Sequence, residues 1–194
     1  MKNIQRMTSG VDVAPLLHAV QCRPDLWNRN TLMTAGDASP FREGSDIWIR
    51  FHEIPIPLGE PFDDRETVWY PAIDVLPEAR SIVTWLMARV GCERLGRVVI
   101  TKLAPGRRVH AHVDVPRLAG YYSRYHVPLQ TSEGATFRCG DETVHMAAGE
   151  VWWFDNRVEH AAANEGQDDR LHLIIDIRSA GSGVAPPSFF REST

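Results

Sequence analysis

Two short stretches of this sequence hold residues whose types and spacing could do chemistry. Residues 109–116 read VHAHVDVP, which places His110, His112 and Asp114 at every second position. On a strand, side chains two apart share a face, so all three point the same way. An H-x-D pair is unspecific by itself, because polar alternation also describes a solvent-facing strand. A metal needs a further ligand from another strand, and GEVWWFDNRVEHAAAN offers His160. Two imidazoles and one carboxylate on one side of a metal leave its other positions open, which suits non-haem Fe(II). A closed zinc site would favour thiolates, but Cys22, Cys92 and Cys139 are scattered and form no CxxC pair.

A second kind of chemistry follows downstream. Arg170 opens the run RLHLIIDIR, in which Arg170, His172, Ile174 and Asp176 share one face and Leu171, Leu173, Ile175 and Ile177 the other. An arginine at the inner end of a buried strand needs an anion. That anion is either an aspartate (Asp168, Asp169 or Asp176) or the carboxylate of a ligand in a two-bond grip. Arg124 and His126 in YYSRYHVPL repeat the device. A metal triad with two converging basic groups describes a pocket for a small dicarboxylate lying against the metal. His110 shares the face of His112 and Asp114; three ligands already suffice, so it reads as pocket lining or rim. Asn156 and Asn164 flank His160 as candidates to orient it, although turn chemistry explains Asn156 equally well.

The elements that must position these residues are legible as patterns. Residues 11–20 (VDVAPLLHAV) have Val13, Leu16, Leu17 and Val20 at helical spacing. A stronger helix spans PEARSIVTWLMARVG, residues 77–91, with Pro77 suited to its first position and Gly91 to its C-terminal cap. Ile82, Val83, Leu86, Met87 and Val90 form its apolar stripe. Between the two helices, DIWIRFHEI alternates as a strand, with Ile47, Ile49 and Phe51 on one face and Trp48, Arg50 and His52 on the other. That polar face marks either an exposed edge strand or a surface that meets substrate. Proline-punctuated segments run from Pro55 to Pro71. From Arg97 onward, short β-rich runs are separated by the turn signals APG, SEG, CGD and AAGE, which suggests a sandwich or barrel. In EVWWFDN, Trp152 and Trp153 fall on opposite faces, so one of them is core packing.

Composition narrows the function classes. The chain has 194 residues, 43% of them hydrophobic, enough for one domain with a substantial core. A net charge of −4 without a basic block gives no support for general nucleic-acid binding. The N-terminus (MKNIQRMTSG) lacks the apolar centre of a signal peptide, and no run approaches membrane-spanning length. These features predict a soluble, cytoplasmic protein with no membrane partner and leave its oligomeric state open.

Taken together, APGRRVHAHVD, SRYHVPLQ, GEVWWFDNRVEHAAAN and DDRLHLIIDI, in this order and spacing, make residues 98–178 resemble the aspartyl/asparaginyl β-hydroxylase branch of the Fe(II)/2-oxoglutarate dioxygenases. The resemblance implies a mainly β fold with N-terminal helices: a double-stranded β-helix (jelly-roll, cupin-like) core with helices packed on its outer face. It implies one dioxygenase domain over 1–178, with a helical or mixed part to residue 95, a barrel core over 96–178 and a flexible tail over 179–194. His112, Asp114 and His160 would be the iron ligands. Arg170 would hold the distal carboxylate of 2-oxoglutarate and Thr101 would share it. Arg124 and His126 would line the metal-proximal end of that co-substrate. The animal members carry glycine where this chain has Asp114, so the full triad is a departure from them. The implied reaction uses Fe(II), 2-oxoglutarate and O2, hydroxylates an unactivated C–H and releases succinate and CO2. The target would be an Asp- or Asn-type side chain in a protein, a free amino acid or another small molecule. A cupin-like metal-binding or sensing protein without turnover is the alternative, and it leaves Arg124 and Arg170 without a purpose. A carbohydrate-binding jelly roll explains the aromatics but not the basic residues in register.

Overall fold

The computed structural model describes residues 2–54 and 67–180. Most of the proline-punctuated segment, 55–66, and the tail from 181 onward lie outside the described residues. Strand β1 (Ile4–Thr8) comes first, then helix α1 (Ala14–Gln21), strands β2 (Ser45–His52) and β3 (Thr67–Trp69), and helices α2 (Ala72–Val75) and α3 (Glu78–Val90). The remainder is mostly strand: β4 (Cys92–Leu103), β5 (Arg108–His112), the short helix α4 (Pro116–Ala119), β6 (Ser123–Gln130), β7 (Ala135–Cys139), β8 (Glu142–Val144), β9 (Val151–Phe154), β10 (His160–Asn164) and β11 (Arg170–Ser179). They form a seven-stranded sheet, β1-β9-β6-β11-β4-β2-β3, and a four-stranded sheet, β5-β10-β7-β8, with antiparallel pairing throughout. The chain crosses between the two sheets as it winds, which is the double-stranded β-helix.

The larger sheet has two buried faces with different partners. Its outer face carries Ile47, Ile49, Val98, Ile100, Leu171, Leu173, Ile175 and Ile177, and the stripes of α1 (Leu16, Val20) and α3 (Ile82, Val83, Leu86, Val90) cover them. Each such side chain contributes about 1.5–3 kcal/mol on leaving water, so this layer dominates the fold's stability. Helix α3 stops where the sequence indicates: Gly91 adopts φ 61° and its N–H donates to the Met87 carbonyl, a conformation that a side chain would strain. The inner face packs on the smaller sheet through Ile4, Leu103, Phe137, Met146, Phe154 and Ala162. Trp153 joins the outer core while Trp152 turns to the other side, as the alternation predicts.

Strands from both parts of the expected single domain share one sheet, because β2 pairs with β4 and β1 pairs with β9. Two expectations need correction. Ser179 closes β11 at 5% exposure instead of opening a tail. The supposed polar face of β2 is neither exposed nor at an edge, since β2 lies between β4 and β3 and both Trp48 and His52 are 2% exposed. A bulge is the reason. The register passes from Trp48↔Val99 to Arg50↔Val98, which leaves Ile49 extra and reverses the alternation after it. Phe51 therefore turns to the side of Trp48 and stacks on it, with ring centroids 3.8 Å apart.

Candidate metal centre and its cavity

Strands β5 and β10 are neighbours, and their register sets His160 directly opposite His112. Asp114 lies just past the end of β5, so strand alternation does not place it. Its N–H donates to the Asn156 carbonyl at 3.3 Å, which turns the chain back toward the histidines. One donor atom from each of His112, Asp114 and His160 then lies within 4.8 Å of the others. Asp114 Oδ1 is 3.7 Å from His112 Nε2 and 3.9 Å from His160 Nε2.

Local hydrogen bonds set the tautomer of both imidazoles. His112 Nδ1–H donates to the His110 carbonyl at 2.8 Å, and His160 Nδ1–H to the Val158 carbonyl at 2.9 Å. Each ring thus turns a bare Nε2 lone pair toward Asp114. Burial pulls the His160 pKa down to about 4, so that ring is neutral at physiological pH. His112 Nε2 is buried without a hydrogen-bond partner. A buried acceptor left open beside a carboxylate and a second imidazole fits a divalent cation, so the residues present suit Fe(II).

Asp114 is held by a network that the sequence did not reveal. Its Oδ2 accepts from Asn156 Nδ2 at 3.0 Å and from Arg124 Nη1. Arg124 also grips Asp176 with two bonds of 2.8 and 3.1 Å, and Arg97 Nε donates to Asp176 at 2.8 Å. Burial favours the neutral form of Asp114, but Arg124 and Arg97 outweigh it and hold the carboxyl below its ordinary range. Arg124 therefore lines the cavity without a free fork for a co-substrate, and it acts on Asp114. His126 is no cation either. Burial and the nearby Arg170 keep it neutral, wedged between the Phe137 and Phe154 rings and beside His172 at 3.4 Å. The expected basic pair is thus a committed arginine and a neutral imidazole.

The flanking residues divide in the same way. Asn156 orients Asp114 instead of His160. Asn164 donates to the Leu103 and Asp168 carbonyls and so pins the turns around β10. His110 stays out of the cluster and bonds Glu43 Oε1 at 2.6 Å. Glu43 also accepts from the Arg108 N–H, and Phe41 meets the His112 ring edge-on at 4.9 Å, so the segment before β2 is latched over β5. Asp176 and Arg97 are the residues missed. The alternation of RLHLIIDIR did place Asp176 inward, and a buried carboxylate calls for cations.

Arg170 and Thr101 line the same cavity from β11 and β4. Arg170 is 4% exposed, donates to His172 Nδ1 at 3.2 Å and, among the described residues, meets no carboxylate. Of the three aspartates weighed against a ligand, Asp176 meets the two arginines, Asp169 lies 3.9 Å from Lys102, and Asp168 is exposed. Burial alone lowers the Arg170 pKa to about 10, the mark of a guanidinium without its anion.

Residues 16–180 match the family described as Aspartyl/Asparaginyl beta-hydroxylase. The chain belongs to that family of 2-oxoglutarate/Fe(II) oxygenases. Among curated relatives, this β-hydroxylase family member is 30% identical over 100 residues to an L-proline cis-4-hydroxylase of Rhizobium meliloti (strain 1021). It is 33% identical over 70 residues to L-proline cis-3-hydroxylase 1 of a Streptomyces species. Those matches cover 52% and 36% of this chain but only 35% and 24% of the relatives' own lengths. Among solved structures, a Pseudomonas putida prolyl-4-hydroxylase aligns with a TM-score of 0.51 at 19% identity over 92% of both chains. A 2OG-Fe(II) oxygenase family oxidoreductase from Burkholderia pseudomallei gives 0.52 at 13% identity, over 90% of this chain and 95% of that one. These likenesses show the double-stranded β-helix. Among the described residues no helix is long and apolar enough to cross a membrane.

Proposed function

We propose that this β-hydroxylase family member is an Fe(II)- and 2-oxoglutarate-dependent hydroxylase of a free amino acid, with succinate and CO2 as co-products. The observation that carries the reading is the pairing of two features on one cavity. Three metal donors lie within 4.8 Å of each other, and a buried arginine on the same cavity meets no anion among the described residues. Bound iron, with 2-oxoglutarate and O2, would supply the oxidant that replaces a C–H bond by C–OH.

The chain's own residues do the positioning. His112, His160 and Asp114 Oδ1 would hold the metal, with their orientation fixed by the His110 and Val158 carbonyls and by Arg124 and Asn156. Arg170 would take the distal carboxylate of 2-oxoglutarate in its fork, with the Thr101 hydroxyl beside it. His172 fixes the guanidinium by accepting one of its N–H groups. Phe137, Phe154 and Ala162 keep the inner end of the cavity apolar and exclude stray water. Arg97 also lines the cavity and bonds Asp176 through Nε. A free amino acid is favoured over a protein side chain because both curated relatives are named for L-proline.

The test is anaerobic loading with Fe(II), followed by oxygen, 2-oxoglutarate and a panel of free amino acids. Succinate should form together with an amino acid that has gained one oxygen. His160→Ala should lose both the bound metal and turnover; full metal content in that variant would remove His160 from the site.

A further inference from the structure

Among the described residues, one carboxylate on the cavity wall remains without a counter-charge. Asp46, on β2, is 5% exposed, its Oδ1 is buried without a hydrogen-bond partner, and it lines the same cavity as His112, His160 and Arg170. The other acids there are matched, Asp176 by Arg97 and Arg124, and Asp114 by Arg124 and Asn156. Among the described residues no cation bonds the Asp46 carboxylate, although Arg170 lines the same cavity without an anion of its own. Thr101 is the cross-strand neighbour of Asp46, and the next residue, Lys102, turns its ammonium to the Trp27 ring at 4.6 Å and to Asp169. Arg170 bonds His172, and Arg97 bonds Asp176. Glu43, from the segment just before β2, is held by His110.

Burying a carboxylate without a cation is costly, so such a group either stays protonated or awaits a partner. Burial raises the Asp46 pKa to about 6, with Trp48 acting in the opposite direction, which leaves the group close to changing charge when a cation arrives. Its wall is continuous with the metal side, because Phe41, a few residues earlier, contacts the His112 ring.

We propose that Asp46 receives a protonated nitrogen of the substrate, so that the cavity selects small amino acids over carboxylic acids that lack the amine. This rests on the amino-acid hydroxylase reading above and names the group by which that substrate is recognised. On docking, Asp46 gives up any proton to solvent and accepts a charge-assisted N–H bond, which fixes one end of the substrate relative to the metal.

The experiment is calorimetric binding near neutral pH to protein loaded with Zn(II) as an inert stand-in and saturated with 2-oxoglutarate. The probes are L-proline and the other common amino acids, their counterparts without nitrogen (cyclopentanecarboxylic acid for proline), and Nα-acetyl-L-lysine. An amino acid should bind, and its nitrogen-free counterpart should bind about tenfold more weakly or worse. Asp46→Asn should lose about the same factor for the amino acid while Zn(II) and 2-oxoglutarate affinities hold, which also shows that the variant is folded. Binding of Nα-acetyl-L-lysine that Asp46→Asn abolishes would support the same contact with a side-chain cation as its source. Equal affinity of the amino acid for both proteins, or equal binding of the nitrogen-free counterpart, overturns the proposal. If 2-oxoglutarate binds and no amine does, the proposal fails and the dioxygenase reading stands. If 2-oxoglutarate itself does not bind, both fall.

Discussion

Replacing Arg124 by methionine tests whether the arginine holds the metal ligand or merely fills the core. Arg124 makes two bonds to Asp176, at 2.8 and 3.1 Å, and a third contact to Asp114 Oδ2. Methionine keeps the apolar stem and removes all three. Breaking one partner out of a buried ion network costs about 3–5 kcal/mol. The lower end applies here, because Arg97 still meets Asp176 and Asn156 still meets Asp114. A loss of about 3 kcal/mol leaves an ordinary domain folded. Without Arg124, Asp114 is free to rotate its Oδ1 away from the two imidazoles, and losing such an outer partner weakens metal binding by about 10–100-fold. Urea unfolding of the apo protein reads the first effect, and chelator competition for Fe(II) under anaerobic conditions reads the second. Unchanged metal affinity in a folded, destabilised variant would refute the positioning role and leave Arg124 a purely structural ion.

Three further outcomes follow from the same geometry. Arg170→Leu should abolish stabilisation by 2-oxoglutarate in thermal unfolding, yet make the apo protein more stable by up to about 3 kcal/mol, since it removes a buried cation whose pKa is down at about 10; a less stable apo variant would mean that Arg170 has a counter-charge. Asp46 binds its proton more tightly in the folded state, at about 6, than in the unfolded chain, so its contribution to apo stability is lost as pH rises from about 4 through 6. Asp46→Asn should therefore match the wild type near pH 4 and exceed it by up to about 3 kcal/mol above pH 7 in urea titrations, and parallel pH profiles would sink this reading. Gly149→Ala should destabilise by at least about 1 kcal/mol, because φ is +77° and the added Cβ would meet the Val11 carbonyl oxygen at 2.7 Å; an unchanged unfolding midpoint would count against it.

The parts legible in the sequence are those that follow from a period or a turn. The stripe of α3, its Gly91 stop and the two faces of β11 needed only alternation and capping. The His112–His160 partnership was readable because ligand-type residues on separate strands have few other reasons to coincide with an inward arginine. Two kinds of feature were not legible. A single extra residue, Ile49, reversed the alternation after it and turned Phe51 to the side of Trp48, and packing on both faces of β2 buried Trp48 and His52. The allegiance of Arg124 depended on Asp176, far along the chain, and no local pattern shows which of several inward acids and bases will meet. Strand β1 also escaped, because five residues that pair only with β9 leave too short a signal.

His112 and His160 ride on the small sheet, with Asp114 just past the end of β5, whereas Arg170, Thr101 and Arg124 ride on the large one. The gap between the two imidazoles and Arg170 is therefore set by the filling between the sheets, as a calliper is set by what it grips. Phe154 of the large sheet touches the His160 ring at 4.8 Å, and Phe137 of the small sheet touches His126 at 5.4 Å. Close-packed aromatics yield little. Their volume thereby becomes a ruler for the reaction, and relatives that differ at these two positions should differ in reach before they differ in chemistry.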